Sequence, residues 1–253
     1  MKKIIKYEAK IILCKPYVPI LLLINLLYSY YLLSADIILG VSDTAPFSGW
    51  SFGKYMGSGV LWTFLLSLLI LITSNAGRKN VAVLTNVTGI SPKKLNLVRS
   101  LIVTVFFLLS CLLIFLLGCV FLQTLFQTIR IGAYLAAFLL TALPCAILII
   151  GFGTVAGNLH PAFGYVLIVL LLAVSLFAAA GIGGGYLLDA AGASYYETVS
   201  GLLESFEASE TPFVIRGGYV LARSLYACLG IAVFWFGYTG SGKKDRFLSR
   251  MLS

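Results

Sequence analysis

The sequence predicts an all-α, polytopic membrane protein with six transmembrane helices. Of its 253 residues, 60% are hydrophobic and 11% are charged, whereas about 25% of the residues in a typical soluble domain are charged. The apolar stretches are continuous and long enough to cross a bilayer as helices, and they lack the alternation of a β-barrel. The mean hydropathy of +1.01 agrees with this class. We therefore expect a single transmembrane domain over residues 1–253, without a separate soluble domain.

Six apolar runs mark the expected spans. They cover residues 17–34, 58–77, 100–124, 133–157, 162–181 and 218–239. Six spans leave both termini on one side of the membrane, and that side receives 14 of the 18 basic residues. The positive-inside rule then places both termini in the cytoplasm, in a multi-pass protein of the cytoplasmic (plasma) membrane. The net charge of +9 is expected to face anionic lipids rather than nucleic acid.

The residues before the first span, 2–15, predict an interfacial elbow helix. Isoleucines are interleaved with lysines in this stretch, as in basic amphipathic helices that lie in the membrane interface. Pro16 and Pro19 then turn the chain into the bilayer. The alternative is a basic flank that only sets the topology. We favour the elbow helix because such a flank needs fewer isoleucines.

The first external loop, about 35–57, is rich in turn-forming residues. Three of its aromatic residues, Trp50, Phe52 and Tyr55, lie just before the second predicted span. We expect them to lie at headgroup level as part of an aromatic belt.

The cytoplasmic loop between spans two and three, residues 78–92, is the most informative connection. It predicts a short coupling helix over about 80–88, which Gly89 ends before Ser91-Pro92 begins the next helix. A passive connection would be short and polar, so an apolar helix flanked by cations is expected to dock onto another protein. The alternative is a helix that lies back on the membrane. The residues assigned to docking are Arg78, Val81, Val83, Leu84, Val87 and Ile90.

Spans three and four are joined by few residues and should form a tight hairpin. Span four contains Pro144 and three glycines, Gly151, Gly153 and Gly157. Kinking and close helix packing explain such residues in membrane helices. A hinge for alternating access is the alternative.

The segment between spans five and six, residues 181–218, is expected to form re-entrant or extracellular helices. Its moderate hydrophobicity indicates two short helices broken at Gly192. Arg223, one turn into span six, should snorkel or pair with Glu207 or Glu210. The acids form either a solvated surface or an outer gate and vestibule that favours cationic cargo. They are Asp189, Glu197, Glu204, Glu207 and Glu210.

Residues with catalytic chemistry are scarce. The single histidine, His160, falls in the predicted connection between spans four and five, and the five cysteines lack metal-ligand or redox spacing. Polar residues within the spans, such as Asn25 and Thr63, are expected to form hydrogen bonds between helices. We therefore expect no enzymatic activity, metal or cofactor on this chain.

The segment Gly237–Lys244 reads GYTGSGKK and looks like a nucleotide-binding P-loop. A P-loop requires Ser or Thr after its lysine, yet Lys244 occupies that position. The true motif also follows a strand and opens an α/β domain, whereas this segment follows a predicted span. We expect it to be the glycine-rich exit from span six, joined to a basic tail.

The whole arrangement resembles the permease subunits of type-2 ABC exporters. The local similarity is RKNVAVLTNVTGISPKKL, Arg78–Leu95, which looks like that family's arginine-led helix followed by an Ile-Ser turn and the third span. The family usually has an acidic residue after the arginine, where this chain has Lys79-Asn80. The resemblance implies a separate ATPase subunit, which binds ATP and Mg, and a second permease copy in a homodimer or heterodimer. It also implies that the elbow and coupling helices contact the ATPase, and that the segment 181–218 forms the outer gate.

The cargo implied by the resemblance is a lipid, polysaccharide, drug or peptide. The small size, wide apolar tracts and acidic segment favour an amphipathic, cationic peptide, as in the exporters of bacteriocins and phenol-soluble modulins. Two other functions stay open. An ATP-independent secondary carrier should show inverted repeats, and a non-transporting immunity protein would bind a toxic peptide at the membrane.

Overall fold

The computed structural model describes residues 2–36, 49–76, 92–127, 130–156, 161–179, 189–200 and 214–251. These residues form helices and the short segments next to them, and none of the described residues forms a strand. The helices are α1 (Lys2–Leu13), α2 (Tyr17–Tyr31, continued by a π-helical turn at Leu32–Asp36), α3 (Gly49–Ala76), α4 (Pro92–Phe126), α5 (Ile131–Ala156), α6 (Pro161–Ala179), α7 (Ala193–Ser200) and α8 (Gly217–Met251).

Five of these helices, α2 to α5 and α8, are long and apolar enough to cross a membrane. The predicted all-α, membrane-embedded class is therefore confirmed. The fifth predicted span corresponds to α6, whose described apolar stretch, Ala162–Ala178, is shorter than the other five.

Helix α3 lies at the centre of the bundle, where it packs against α2, α4, α5, α6 and α7. Two thirds of its apolar window is buried (67%), compared with 28% for α2 and 17% for α8. These two peripheral helices carry apolar side chains on their outer faces. In lipid such side chains need no protein cover, and they include Ile20, Leu23, Leu27, Leu221, Leu225 and Trp235.

Glycines let α8 approach α5 closely. A Cβ atom added to Gly151 would lie 2.4 Å from the carbonyl oxygen of Gly230, and one added to Gly237 would lie 2.6 Å from Thr154 Oγ1. Gly153 faces α4 on another side of α5, where an added Cβ would lie 2.2 Å from Ser100 Cβ. Small residues at such contacts are typical of membrane helix packing, so the close-packing interpretation of Gly151 and Gly153 is confirmed.

The start of α3 corrects the prediction for the first external loop. The helix begins at Gly49 rather than near residue 58, so Trp50, Phe52 and Tyr55 lie inside it. All three are buried. Phe52 stacks on Tyr134 of α5 with ring centroids 4.1 Å apart, and Tyr55 Oη donates to the carbonyl of Ile114. The aromatic belt was therefore the wrong interpretation, because these rings pack between helices.

The predicted hairpin between spans three and four is present and tight. Helix α4 ends at Phe126 and α5 begins at Ile131. Gln127 leaves α4 with a φ of 53°, the left-handed conformation that commonly ends helices. The start of α4 at Pro92 likewise confirms the Ser91-Pro92 helix start.

The segment GYTGSGKK lies within helix α8, which continues to Met251. A P-loop wraps around phosphate as a loop between a strand and a helix, whereas the residues directly before this segment are helical. The structure thus agrees with the rejection of a nucleotide-binding loop.

Candidate functional site

Two polar clusters lie near opposite ends of α3. One joins the C-terminal end of α3 to α1 and α4, and we call it the α1-end cluster (Glu8, Asn75 and Arg99). The other surrounds α7 near the N-terminal end of α3, and we call it the α7-end cluster (Asp189, Gly192, Tyr195, Tyr219 and Arg223). Both contain charged side chains that are buried in the bundle.

In the α1-end cluster, Arg99 and Glu8 form a bidentate ion pair. Arg99 Nε donates to Glu8 Oε2 at 2.6 Å, and Nη2 donates to Oε1 at 3.3 Å. Arg99 Nη1 also donates to Asn75 Oδ1 at 3.4 Å. The side chains of Arg99 and Glu8 are only 10% and 6% exposed. Because removal of one partner leaves a buried charge uncompensated, such pairs are costly to break, at about 3–5 kcal/mol.

Glu8 occupies the face of α1 that points into the bundle. Ile12, one turn later on this face, is 1% exposed, whereas Ile5 and Tyr7 are exposed on other faces. A carboxylate buried without a partner would oppose this packing. Arg99 therefore makes it possible for the inner face of α1 to pack against α4.

Two residues of the α1-end cluster come before and after the predicted coupling loop in the sequence. Asn75 lies at the end of α3, and Arg99 lies two turns after the start of α4 at Pro92. The residues assigned to docking lie outside the described residues, namely Arg78, Val81, Val83, Leu84, Val87 and Ile90.

In the α7-end cluster, Asp189 caps the start of α7. Its Oδ1 accepts a hydrogen bond from the backbone N–H of Ala191 at 3.0 Å, and Oδ2 accepts one from Ser194 at 2.9 Å. Ser175 of α6 donates from Oγ to Oδ1 at 3.4 Å. A carboxylate near the first N–H groups of a helix satisfies donors that have no partner within the helix. Asp189 is 1% exposed, so these bonds stabilise its buried charge.

Arg223 of α8 binds the same segment from the other side. Its Nη2 donates to the carbonyl of Asp189 at 2.6 Å, and Nη1 donates to that of Ala190 at 2.8 Å. The guanidinium also lies over the rings of Tyr219 and Tyr226, at 5.3 and 4.8 Å from their centroids. Such cation–π contacts stabilise a desolvated guanidinium. Arg223 thus turns into the bundle, where backbone carbonyls of the segment accept its hydrogen bonds.

Gly192 makes the turn between Asp189 and α7 possible. Its φ of 73° is left-handed, and an added Cβ would lie 2.6 Å from Tyr219 Oη. Only glycine meets both conditions without strain. The predicted break at Gly192 and the helix that follows it are therefore confirmed, while residues 181–188 lie outside the described residues.

Helix α7 lies directly on the first two turns of α3. A Cβ added to Gly57 would lie 2.6 Å from Ala193 Cα, so the two backbones touch. Tyr195 stacks on Tyr219 with centroids 4.1 Å apart, and Trp50 lies 6.2 Å from the Tyr195 ring. The aromatic residues of α3 and α8 thus enclose α7.

The predicted outer-gate acids fall in different surroundings. Asp189 is buried, and its carboxylate is used as a helix cap. Glu197 lies on α7, but its side chain is outside the described residues, as are Glu204, Glu207 and Glu210. The acidic vestibule stays a prediction. If it exists, Asp189 contributes to it by holding α7 in place.

A third polar contact lies midway along α2. Asn25 Nδ2 donates to Thr63 Oγ1 at 2.8 Å, which confirms the predicted hydrogen bond between helices. Asn25 Oδ1 is buried and accepts no hydrogen bond from the described residues. It borders a narrow cleft of about 10 Å³, also lined by Phe106 and Ser110, which is room for about one water molecule.

Metal-ligand groupings are absent from the described residues, where no three His, Cys, Asp or Glu side chains come together. The five cysteines are free thiols. His160 lies outside the described residues.

No protein-family model, curated protein or solved structure matches the chain. The polar clusters and the sequence pattern therefore carry the functional proposal.

The partnership of Glu8 and Arg99 was not predicted from the sequence. Two signals were present: Glu8 interrupts the apolar face of an amphipathic helix between Ile4 and Ile12, and Arg99 lies directly before the third predicted span, where Val98 precedes it and Leu101 follows. Each position indicates a buried charge that needs a partner. Their separation of 91 residues hid the pairing.

Proposed function

We propose that this chain is the transmembrane permease subunit of an ATP-driven exporter of the type-2 ABC class. A separate ATPase subunit binds ATP and Mg, and the permease acts as a homodimer or heterodimer. The chain itself has no catalytic activity. Its cargo is an amphipathic molecule, with a cationic peptide favoured, that leaves the cell across the cytoplasmic membrane.

The observation that best supports this proposal is the α1-end cluster. It brings the N-terminal helix and both borders of the predicted coupling loop to one end of the bundle, because Arg99 binds Glu8 and Asn75 together. An ATPase that docks at this end would meet α1 and the loop as one surface. An ABC permease requires such a common docking end.

In this proposal the bundle has six spans, with α6 as the fifth. Helix α1 is the interfacial elbow, and both termini face the cytoplasm, as the distribution of lysine and arginine favours. The α7-end cluster then faces outward, and α7 belongs to a re-entrant or extracellular element that forms the outer gate. Residues 204–210 of this element add negative charge near the exit of a cationic peptide.

The first test asks whether the loop couples the chain to an ATPase. Leu84→Asp places a charge on the apolar face of the predicted coupling helix and should abolish ATP-dependent export, because the helix can no longer dock in an apolar groove. The measurement is nucleotide-dependent export by cells or vesicles that contain the chain and its co-purified ATPase. Asn86→Asp is the matched control, since it adds the same charge at a polar position of this loop.

Normal export by the Leu84→Asp variant would contradict the coupling assignment. Transport by the purified chain alone in liposomes would instead indicate a secondary carrier. Peptide binding without nucleotide-dependent movement would indicate an immunity protein.

A further inference from the structure

Few contacts hold helix α1 against the bundle. Only residues 14–16 join it to α2, and the helix that it contacts most is α4. The inward face that makes this contact contains Glu8 and Ile12, both nearly fully buried. A short apolar contact between two helices can slide, whereas a bidentate ion pair fixes position and orientation together.

The Arg99 guanidinium connects three helices at a single point. It donates to Glu8 of α1 through two nitrogens and to Asn75 of α3 through the third, while its own backbone belongs to α4. Asn75 and Arg99 stand on the two sides of residues 77–91. Any displacement of the loop ends relative to each other or to the membrane therefore acts on the side chain that holds α1.

We propose that the Glu8–Arg99 pair is the mechanical link through which α1 follows movements of the ends of α3 and α4. The pair stays closed during the transport cycle, so that α1 and the two helix ends move as one unit. The link deepens the proposed function, on which it rests, because the partner ATPase supplies the movement at the loop. Glu8 and Arg99 are thus positioning residues, and neither touches cargo or nucleotide.

The test reports the movement of α1 directly. Cys14 is exposed immediately after α1, and it can carry an environment-sensitive fluorophore attached by a hydrophilic maleimide in a Cys228→Ser background. The labelled chain is purified with its ATPase, placed in lipid nanodiscs and exposed to ATP with vanadate. The wild-type pair should give a nucleotide-dependent change in fluorescence at Cys14.

Four variants examine the link. Glu8→Arg and Arg99→Glu should each lose the nucleotide-dependent change, and the double variant should regain it, because the exchanged charges can pair again. Glu8→Gln keeps the shape of the side chain but removes its charge, and it should lose the Cys14 response while a label at Asn86→Cys still responds to nucleotide. The matched control is Arg130→Glu, which reverses an exposed arginine directly before α5, at the opposite end of α4 from Arg99, and should keep the response.

The outcomes separate the link from the proposed function. If a label at Asn86→Cys responds to nucleotide while Cys14 of the wild-type chain does not, or if Glu8→Gln keeps the full Cys14 response, the link is wrong and the permease assignment stands. If the wild-type chain binds no ATPase, both are wrong. If the charge-reversed single variants cannot be purified, Glu8→Gln alone decides.

Discussion

Two arginines illustrate how single residues organise this bundle. Arg99 has an acidic partner, Glu8, whereas Arg223 donates to backbone carbonyl oxygens and lies over tyrosine rings. Both are nearly fully buried, which is rare for arginine. A buried guanidinium restricts the backbone around it, since its planar donors are fixed relative to one another.

At the residue scale, Gly192 offers a clean prediction. Gly192→Ala puts a side chain on a left-handed residue and against Tyr219 and Arg223, so we expect a loss of at least about 1 kcal/mol in the free energy of unfolding. Thermal unfolding of the purified protein in detergent measures the effect as a lower midpoint. Gly217→Ala is the control, because an added Cβ there meets no atom within 4 Å. Equal midpoints for the two variants would mean that the turn before α7 tolerates a side chain.

The residues of the α7-end cluster show what a sequence can reveal at this scale. Gly192 was expected to break the segment because glycine stands between two moderately apolar stretches. The hydrogen-bond partners of Asp189 and Arg223 could not be predicted, since most of these bonds go to backbone groups, which are nearly the same in every residue type.

At the scale of helices, the contact between α5 and α8 is the most extensive in the described bundle. Gly151 and Gly230 bring the two backbones together there. In a membrane, where lipid competes for apolar side chains, such close backbone approach supplies much of the packing energy.

Gly151→Ala tests this contact. The new methyl group would lie 2.4 Å from a backbone carbonyl, which cannot turn aside as a side chain could. We expect the two helices to separate, with a loss of about 1–3 kcal/mol in the free energy of unfolding, measured by unfolding in a graded series of denaturing detergent. The same substitution at Gly132, near the start of the same helix and facing open space, should not destabilise the protein. A Gly151→Ala variant as stable as Gly132→Ala would contradict the proposed role of glycine at this contact.

Helix boundaries were predicted best where the signal is local. Pro92 starts α4 because proline favours the first turn of a helix. The start of α3 was missed by nine residues, because Gly53 and Gly57 look like loop residues, yet they provide the space in which α7 packs. Their role in helix packing becomes visible only when the position of α7 in three dimensions is known.

At the scale of the whole molecule, the sequence predicted an all-α membrane bundle correctly, because hydropathy alone reports burial in lipid. Hydropathy could not predict which helices lie at the centre of the bundle and which lie at its periphery. Most of the apolar window of α3 is buried against other helices, whereas most of that of α8 is exposed, although both helices are apolar.

The proposed orientation has a direct test. Cysteines are introduced separately at Ser42 and Asn86, with Cys14 and Cys228 replaced by serine. A membrane-impermeant maleimide should label Ser42→Cys on intact cells and Asn86→Cys only after the membrane is opened, because the positive-inside rule places residue 86 in the cytoplasm. Labelling in the opposite order would invert the orientation, and with it the direction of export.

Helix α8 is considerably longer than its apolar part. Its 35 residues correspond to about 52 Å of α-helix, and its apolar part, Gly217–Tyr238, accounts for 22 of them. The remainder adds about 20 Å of helix beyond this apolar part. Most of the glycine-rich stretch that resembles a phosphate-binding loop thus belongs to this helical extension, which separates the apolar part from Arg246 and Arg250.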